Sequence, residues 1–319
     1  MVPNRIFSIA VHPTQSKVLI AAGGKWGSIG FWDILDTESA KHGVQVIKYH
    51  SRPVNCLTFD AYDSSRLIST SYDGSVRLFD INQQKSSILF AYPEEDSNFC
   101  NYHCQMTDAT YLVSVGKAGI SMIDSRQSPL KAAFNFKVYD KASPKMVSLH
   151  PLKKEYFLAP SSKGDCAIFD TRMGNSSKLM KPVINLYGHT KSLSSAKFSP
   201  LTGSKVVTVA YDNKVRLFNT SEAFNQDLKP CKSIYHNNQT GRWLTTFKAE
   251  WHPQNEDVFF VGSMNQPRQM DVVTNQSNSS DLYALKGEDL ASVCSIVKCH
   301  PSRDIIVGGN SSGRVHVFM

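Results

Sequence analysis

No apolar run in the 319 residues approaches the ~20 needed to cross a bilayer as a helix, so no membrane-spanning role is expected. The opening MVPNRIFSIAVHP lacks the long apolar stretch and cleavage site of a secretory signal, and the chain is expected inside the cell. Cysteine is sparse. Seven residues, at 56, 100, 104, 166, 231, 294 and 299, are odd in number and scattered, as reduced, buried thiols would be. CNYHC (100–104) and CSIVKC (294–299) are the tight pairs, and neither has a second pair at zinc-ligand spacing, so no metal is expected. Catalytic signatures are missing as well. GGKWGSIG bridges two apolar strands with no helix behind it, so it is neither a P-loop nor a dinucleotide fingerprint. No Ser, His and Asp follow a recognised catalytic order, so neither an enzyme nor a cofactor is expected. Negative charge is short: 27 acidic residues face 35 lysines and arginines, a formal net charge of +8. Such a balance favours polyanionic partners such as nucleic acid.

A repeat is present. His-Pro occurs at 12–13, 150–151, 252–253 and 300–301, with Ser199-Pro200 in an equivalent setting, each after an alternating apolar stretch. His12 to His300 contains six intervals averaging about 48 residues, and VNCLTFD and YHCQMTD fill the two vacancies. Each unit then offers a second apolar strand (VLIAAG, RLISTS, KVVTVA), a turn with Gly or Asp, and a third strand ending on an aromatic or apolar residue and Asp or Asn (IGFWD, VRLFD, CAIFD). Asp-Gly in YDGS and Asp-Asn in YDNK tolerate the positive φ of tight hairpins. Short period-two strands repeating in the forties predict an all-β, seven-bladed β-propeller, one domain over residues 1–319, with Trp32-Asp33 the one unaltered Trp-Asp. The last unit stops at VHVFM, after its third strand. Either an N-terminal extension that completes it is missing, or the seventh blade keeps three strands.

Propeller topology puts the turns between second and third strands, and the links between blades, on one face. Those turns carry Lys25, Asp73, Lys117, Lys163, Lys214, Arg268 and Arg314, a cation in six of seven blades. The links add Arg52, Lys141, Lys145, Lys191 and Arg242. Lysine is common in turns, Asp165 and Asp212 stand beside two of these cations, and PEEDS (93–97) interrupts the ring. One sign repeated at equivalent positions nevertheless predicts a cationic face. On the opposite rim, IDSR (123–126) and FDTR (169–172) each place an Arg two residues after the strand-terminal Asp. Asp124, Arg126, Asp170 and Arg172 are the expected docking patch.

RIFSIAVHP, GGKWGSIGFWD, HSRPVNCL, SYDGSVRLFD, GHTKSLSSAKFSP, HNNQTGRWLT and GGNSSGRVHVF, in order along the whole chain, resemble the WD repeat-containing protein 76 family, related to damage-specific DNA-binding protein 2. The resemblance implies a nuclear, DNA-binding WD-repeat propeller that prefers damaged or modified duplex. It also implies docking to damage-specific DNA-binding protein 1, the adaptor of a cullin-4 ubiquitin ligase, and possible contact with histones or chromatin. The family's docking motif is Trp-Asp-x-Arg; Phe169, Asp170 and Arg172 match it with Phe for Trp, and Ile123, Asp124 and Arg126 match it more loosely. The link IYHNNQTGRWLTTFKAEWHP (234–253) lies where the damage-binding relative inserts an aromatic-bearing hairpin. Here Asn237, Asn238 and Gln239 occupy that region without an aromatic at the tip. Asn238 and Gln239 are the expected readers of base edges, and Arg242 is expected to reach phosphate or a narrow groove. Trp243 suits packing between blades as well as contact with a ligand. The competing reading is a protein-interaction scaffold whose cations take acidic peptides or histone tails.

Overall fold

Successive side chains of a strand point to opposite faces of its sheet, so a strand apolar on both sides requires a neighbouring layer on each. The computed structural model, which describes the chain apart from residues 37, 39–42, 94–97, 117–118, 175–177, 222–225 and 276–280, satisfies this with seven antiparallel sheets stacked in a ring. Blade 1 is Ile6–Val11, Leu19–Gly24, Ser28–Asp33 and Val44–Lys48, paired in sequence order, and the same order recurs in every sheet. Blade 7, Cys294–Cys299, Ile306–Asn310 and Val315–Phe318, has three strands among the described residues. Among those residues no helix is long and apolar enough to cross a membrane.

The core is divided between the blade interfaces. Ala21 faces Leu57 and Leu67 of blade 2, whereas Ile20 and Ala22 face Ile296 and Val307 of blade 7. Phe157 and Phe169 of blade 4 pack on Phe136 of blade 3, and Trp251 and Phe259 of blade 6 on Val207 and Val209 of blade 5. The ring closes between blades 7 and 1. The Met1 ammonium and the Val2 amide both donate to the Gly313 carbonyl, at 3.1 and 3.3 Å, and Val2 is buried in the shared cluster. Gly313 has φ +81°, and a Cβ there would meet the Val2 carbonyl oxygen at 1.9 Å, so only glycine fits the turn that receives the N-terminal segment.

The recurring histidines hold backbone. The Nδ1 atoms of His12, His150, His252 and His300 accept backbone amides just beyond them, such as Thr14 N–H at 3.1 Å and Ser302 N–H at 3.2 Å. His50 and His189 instead tie a link to a turn: His50 meets Asp73 at 2.9 Å and Ser69 at 2.8 Å, and His189 meets Asp212 at 3.0 Å and Thr208 at 2.7 Å. Burial pulls the His189 pKa down to about 4, outweighing the raising effect of Asp212. A histidine lowered on folding takes up its proton more readily in the unfolded chain, so stability is complete above the unfolded value of ~6.5 and is lost as pH falls below it. His189 alone should remove about 2 kcal/mol by pH 5. Calorimetric melts between pH 8 and 5 test this, with His189→Gln expected to flatten the profile.

Candidate nucleic-acid interface

The turns between second and third strands and the links between blades share one end of the ring, and the sequence-predicted cations gather there. Arg52, Lys145, Lys163, Lys191, Arg242 and Arg314 are exposed; Lys25, Lys214 and Arg268 are half-buried. Among the described residues, none of these nine has a carboxylate within 4.0 Å. Arg268 is partly engaged, donating to the Met264 carbonyl at 3.0 Å. Lys117, and the acidic residues of the link at 94–97, lie outside the described residues. Lys137 and Asp140 form an exposed pair on the same end, at 3.1 Å. The nearby carboxylates of Asp73 and Asp212 are occupied by His50, His189 and Arg216.

The long link between blades 5 and 6 leaves its own sector. His236 is buried, with Nδ1 2.6 Å from the Asn238 amide oxygen and Nε2 3.2 Å from Asp271. The Asn238 amide donates to the carbonyls of Ala210, at 2.9 Å, and Lys214, at 3.2 Å, and the residue is 4% exposed. Gln239 donates to the Tyr211 carbonyl at 2.7 Å. This corrects the expectation that Asn238 reads base edges: its donors hold the link to the blade 5 turn, and it is inaccessible. Gln239 is exposed, with its amide nitrogen engaged on that turn. The stretch has no hydrophobic anchor because its amides do that work. Removing the Asn238 side chain leaves two buried carbonyls without that donor, so Asn238→Ala should cost about 1–3 kcal/mol in chemical denaturation. Gln239→Ala, at an exposed position, should cost under ~1 kcal/mol.

Beyond this anchor the chain turns at Gly241, φ +60°, with no atom within 4 Å of a Cβ placed there, and reaches across to blade 1. Arg5 Nη1 donates to the Arg242 and Leu244 carbonyls at 3.1 and 3.0 Å, and Thr245 Oγ1 donates to the Ile6 carbonyl at 2.6 Å. Held from both sides, Arg242 and Trp243 form a crest on the cationic end. Trp243 is 74% exposed with the Arg242 guanidinium 5.6 Å from its ring centre. The indole therefore does not pack between blades, and an aromatic does stand at the tip. A second pair, Lys25 with the exposed Trp26, lies on the same end at 4.5 Å. The sequence reading missed Trp26 and Arg5, although Lys25 flagged the turn that carries Trp26.

On the opposite rim the two Asp-x-Arg units fold alike. Arg126 donates from Nε and Nη2 to the two oxygens of Asp124, at 2.9 and 2.7 Å, and Arg172 does the same to Asp170, at 2.9 and 2.6 Å. These bonds lower the Asp124 pKa to about 2 and move Asp170 the same way. The guanidinium groups remain open, with side chains 72% and 63% exposed. Phe169, in the motif's Trp position, is 1% exposed and stacks on Phe157 at 5.5 Å, and Ile123 is equally buried. The change from Trp therefore affects the core and not the rim.

The WD domain, G-beta repeat family matches residues 42–80 and 180–219. WD repeat-containing protein 76 of Xenopus laevis is 40% identical over all of this chain and 53% of its own length. That of Mus musculus is 39% identical over 98% of the chain and 49% of its own length. DNA damage-binding protein cmr1 of Neurospora crassa is 29% identical over the whole chain and 65% of its own length. The chain thus spans about half the length of the first two of these curated relatives. The chain is a seven-bladed WD-repeat β-propeller, similar from end to end to the proteins named WD repeat-containing protein 76.

Proposed function

We propose that this propeller is a nuclear DNA-binding module that holds duplex by its phosphates, prefers damaged or modified duplex, and serves a cullin-4 ubiquitin ligase as a substrate receptor. The observation that carries the DNA reading is the gathering of unpaired cations at equivalent turn and link positions on one end. Nine turn and link cations on that end have no carboxylate within 4.0 Å among the described residues, Lys137–Asp140 being an ion pair there. At the other end Arg126, Arg172, Arg66 and Lys17 are paired with aspartates, and among the described residues Lys154 and Arg303 are not. An unpaired cation keeps its full field for a polyanion, while a paired one contributes little. The relatives named for DNA damage binding support the same reading. Arg242 and Trp243 at the crest supply what phosphate contacts lack, a planar ring able to stack on an unpaired or distorted base.

Log affinity for duplex should fall linearly with log salt, and Lys163→Ala or Lys191→Ala should each reduce the slope by about one. Titration of a fluorescent duplex at several salt concentrations measures this. Affinity indifferent to salt would remove the phosphate account. An acidic peptide that displaces the duplex at equal charge concentration would favour the scaffold reading instead.

A further inference from the structure

Charged residues lie where the innermost strands should be apolar. Lys197, Glu250 and Lys298 each stand three residues before the proline that ends the first strand, in blades 5, 6 and 7. Lys248 lies two residues before Glu250 and so shares its side of the chain. All four side chains converge on the propeller axis. Glu250 is shared: Lys197 donates to one of its oxygens, and Lys298 to the other at 2.6 Å. Lys248 is left with the Asn55 carbonyl at 3.2 Å and the Tyr102 ring at 5.2 Å. Three ammonium groups thus face one carboxylate. The Cys56 thiol lies in the same wall, brought down to about 7 chiefly by His103 against the effect of burial. Burial brings Lys248 down to about 8, with the neighbouring Lys197 and Lys298 charges acting in the same direction and Cys56 and Glu250 against it.

Space is provided beside it. A cavity of about 230 Å³ opens on the cationic end and is lined by Lys248, Lys145, Asn55, Asn101, Tyr72 and Tyr211. Both asparagines are locked, donating to the Cys100 carbonyl at 3.2 Å and the Pro144 carbonyl at 2.9 Å. Below Lys248 the channel narrows to about 20 Å³, room for roughly one water, before Lys197 and Lys298. A ligand entering from the cationic end therefore stops at Lys248, with Lys145 at its rim and the field of the deeper lysines beneath.

We propose that this upper channel is a binding site for a small phosphate-type oxyanion, of the size of inorganic phosphate or pyrophosphate, held between Lys248 and Lys145. The site does not depend on DNA binding at the rim. The test is calorimetric titration of the chain with pyrophosphate at constant ionic strength, in the absence of DNA. The expected result is saturable binding at one site, weakened at least tenfold in Lys248→Met and at least threefold in Lys145→Met. Lys85→Met, which removes a charge from the outer strand of blade 2, should stay within twofold. Absence of saturable heat, or equal losses in Lys85→Met and Lys248→Met, would overturn the proposal. If Lys248→Met fails to fold, the exposed Lys145→Met decides it, and an unchanged affinity there is negative. Duplex affinity of Lys248→Met should stay within twofold of wild type. A parallel loss would assign the site to a phosphate of the DNA backbone and overturn the free-anion reading.

Discussion

Replacing Trp243 by alanine will lower affinity for distorted or base-modified duplex by roughly tenfold or more, while plain duplex stays within about threefold. Stacking of a base on an aromatic ring is worth about 1–3 kcal/mol by alanine substitution, and an intact duplex offers no unstacked base to receive it. The indole is 74% exposed, so its removal leaves the core intact and the melting temperature serves as a control. Arg242→Ala should behave differently, weakening both duplexes together, because phosphate contacts position a duplex without reading its bases. Competition between matched plain and damaged oligonucleotides yields both quantities. If Trp243→Ala keeps the full preference, recognition lies away from the crest.

Arg172→Ala will lose the ligase adaptor in a binding assay by ~30-fold or more, the effect of truncating an anchor worth about 2 kcal/mol, and will retain DNA. The argument rests on preorganisation. Asp170 grips the guanidinium through Nε and Nη2, so its remaining donors are fixed before a partner arrives and little rotamer freedom is lost on docking. Arg126 repeats the geometry on blade 3 and should give a smaller loss. Asp170→Asn, which keeps the shape but removes the carboxylate charge, should weaken docking partway by loosening Arg172. Surface plasmon resonance with the purified adaptor, alongside duplex titration, separates the two ends. Joint loss of adaptor and DNA would place both partners on one face.

Much of this was legible along the chain. Period-two strands, turn residues and the spacing of the His-Pro pairs are local properties, so they determined the propeller, its seven blades and the end to which each turn belongs. The cation ring and the two Asp-x-Arg units were visible for the same reason, since each sits at a repeated position in its blade. The inner-strand charges at Lys197, Glu250 and Lys298 were equally readable as breaks in that pattern. Their meeting was not, because Lys248 and Asn55 are 193 residues apart and become neighbours only when the ring closes. Tertiary structure also decided the link between blades 5 and 6. Amides suit a base edge and a backbone carbonyl equally well, and only the position of the blade 5 turn directs Asn238 inward. The same holds for Trp243: an indole beside a strand packs unless its neighbours turn it away, and here Arg5 of blade 1, reaching across the axis, holds the crest outward.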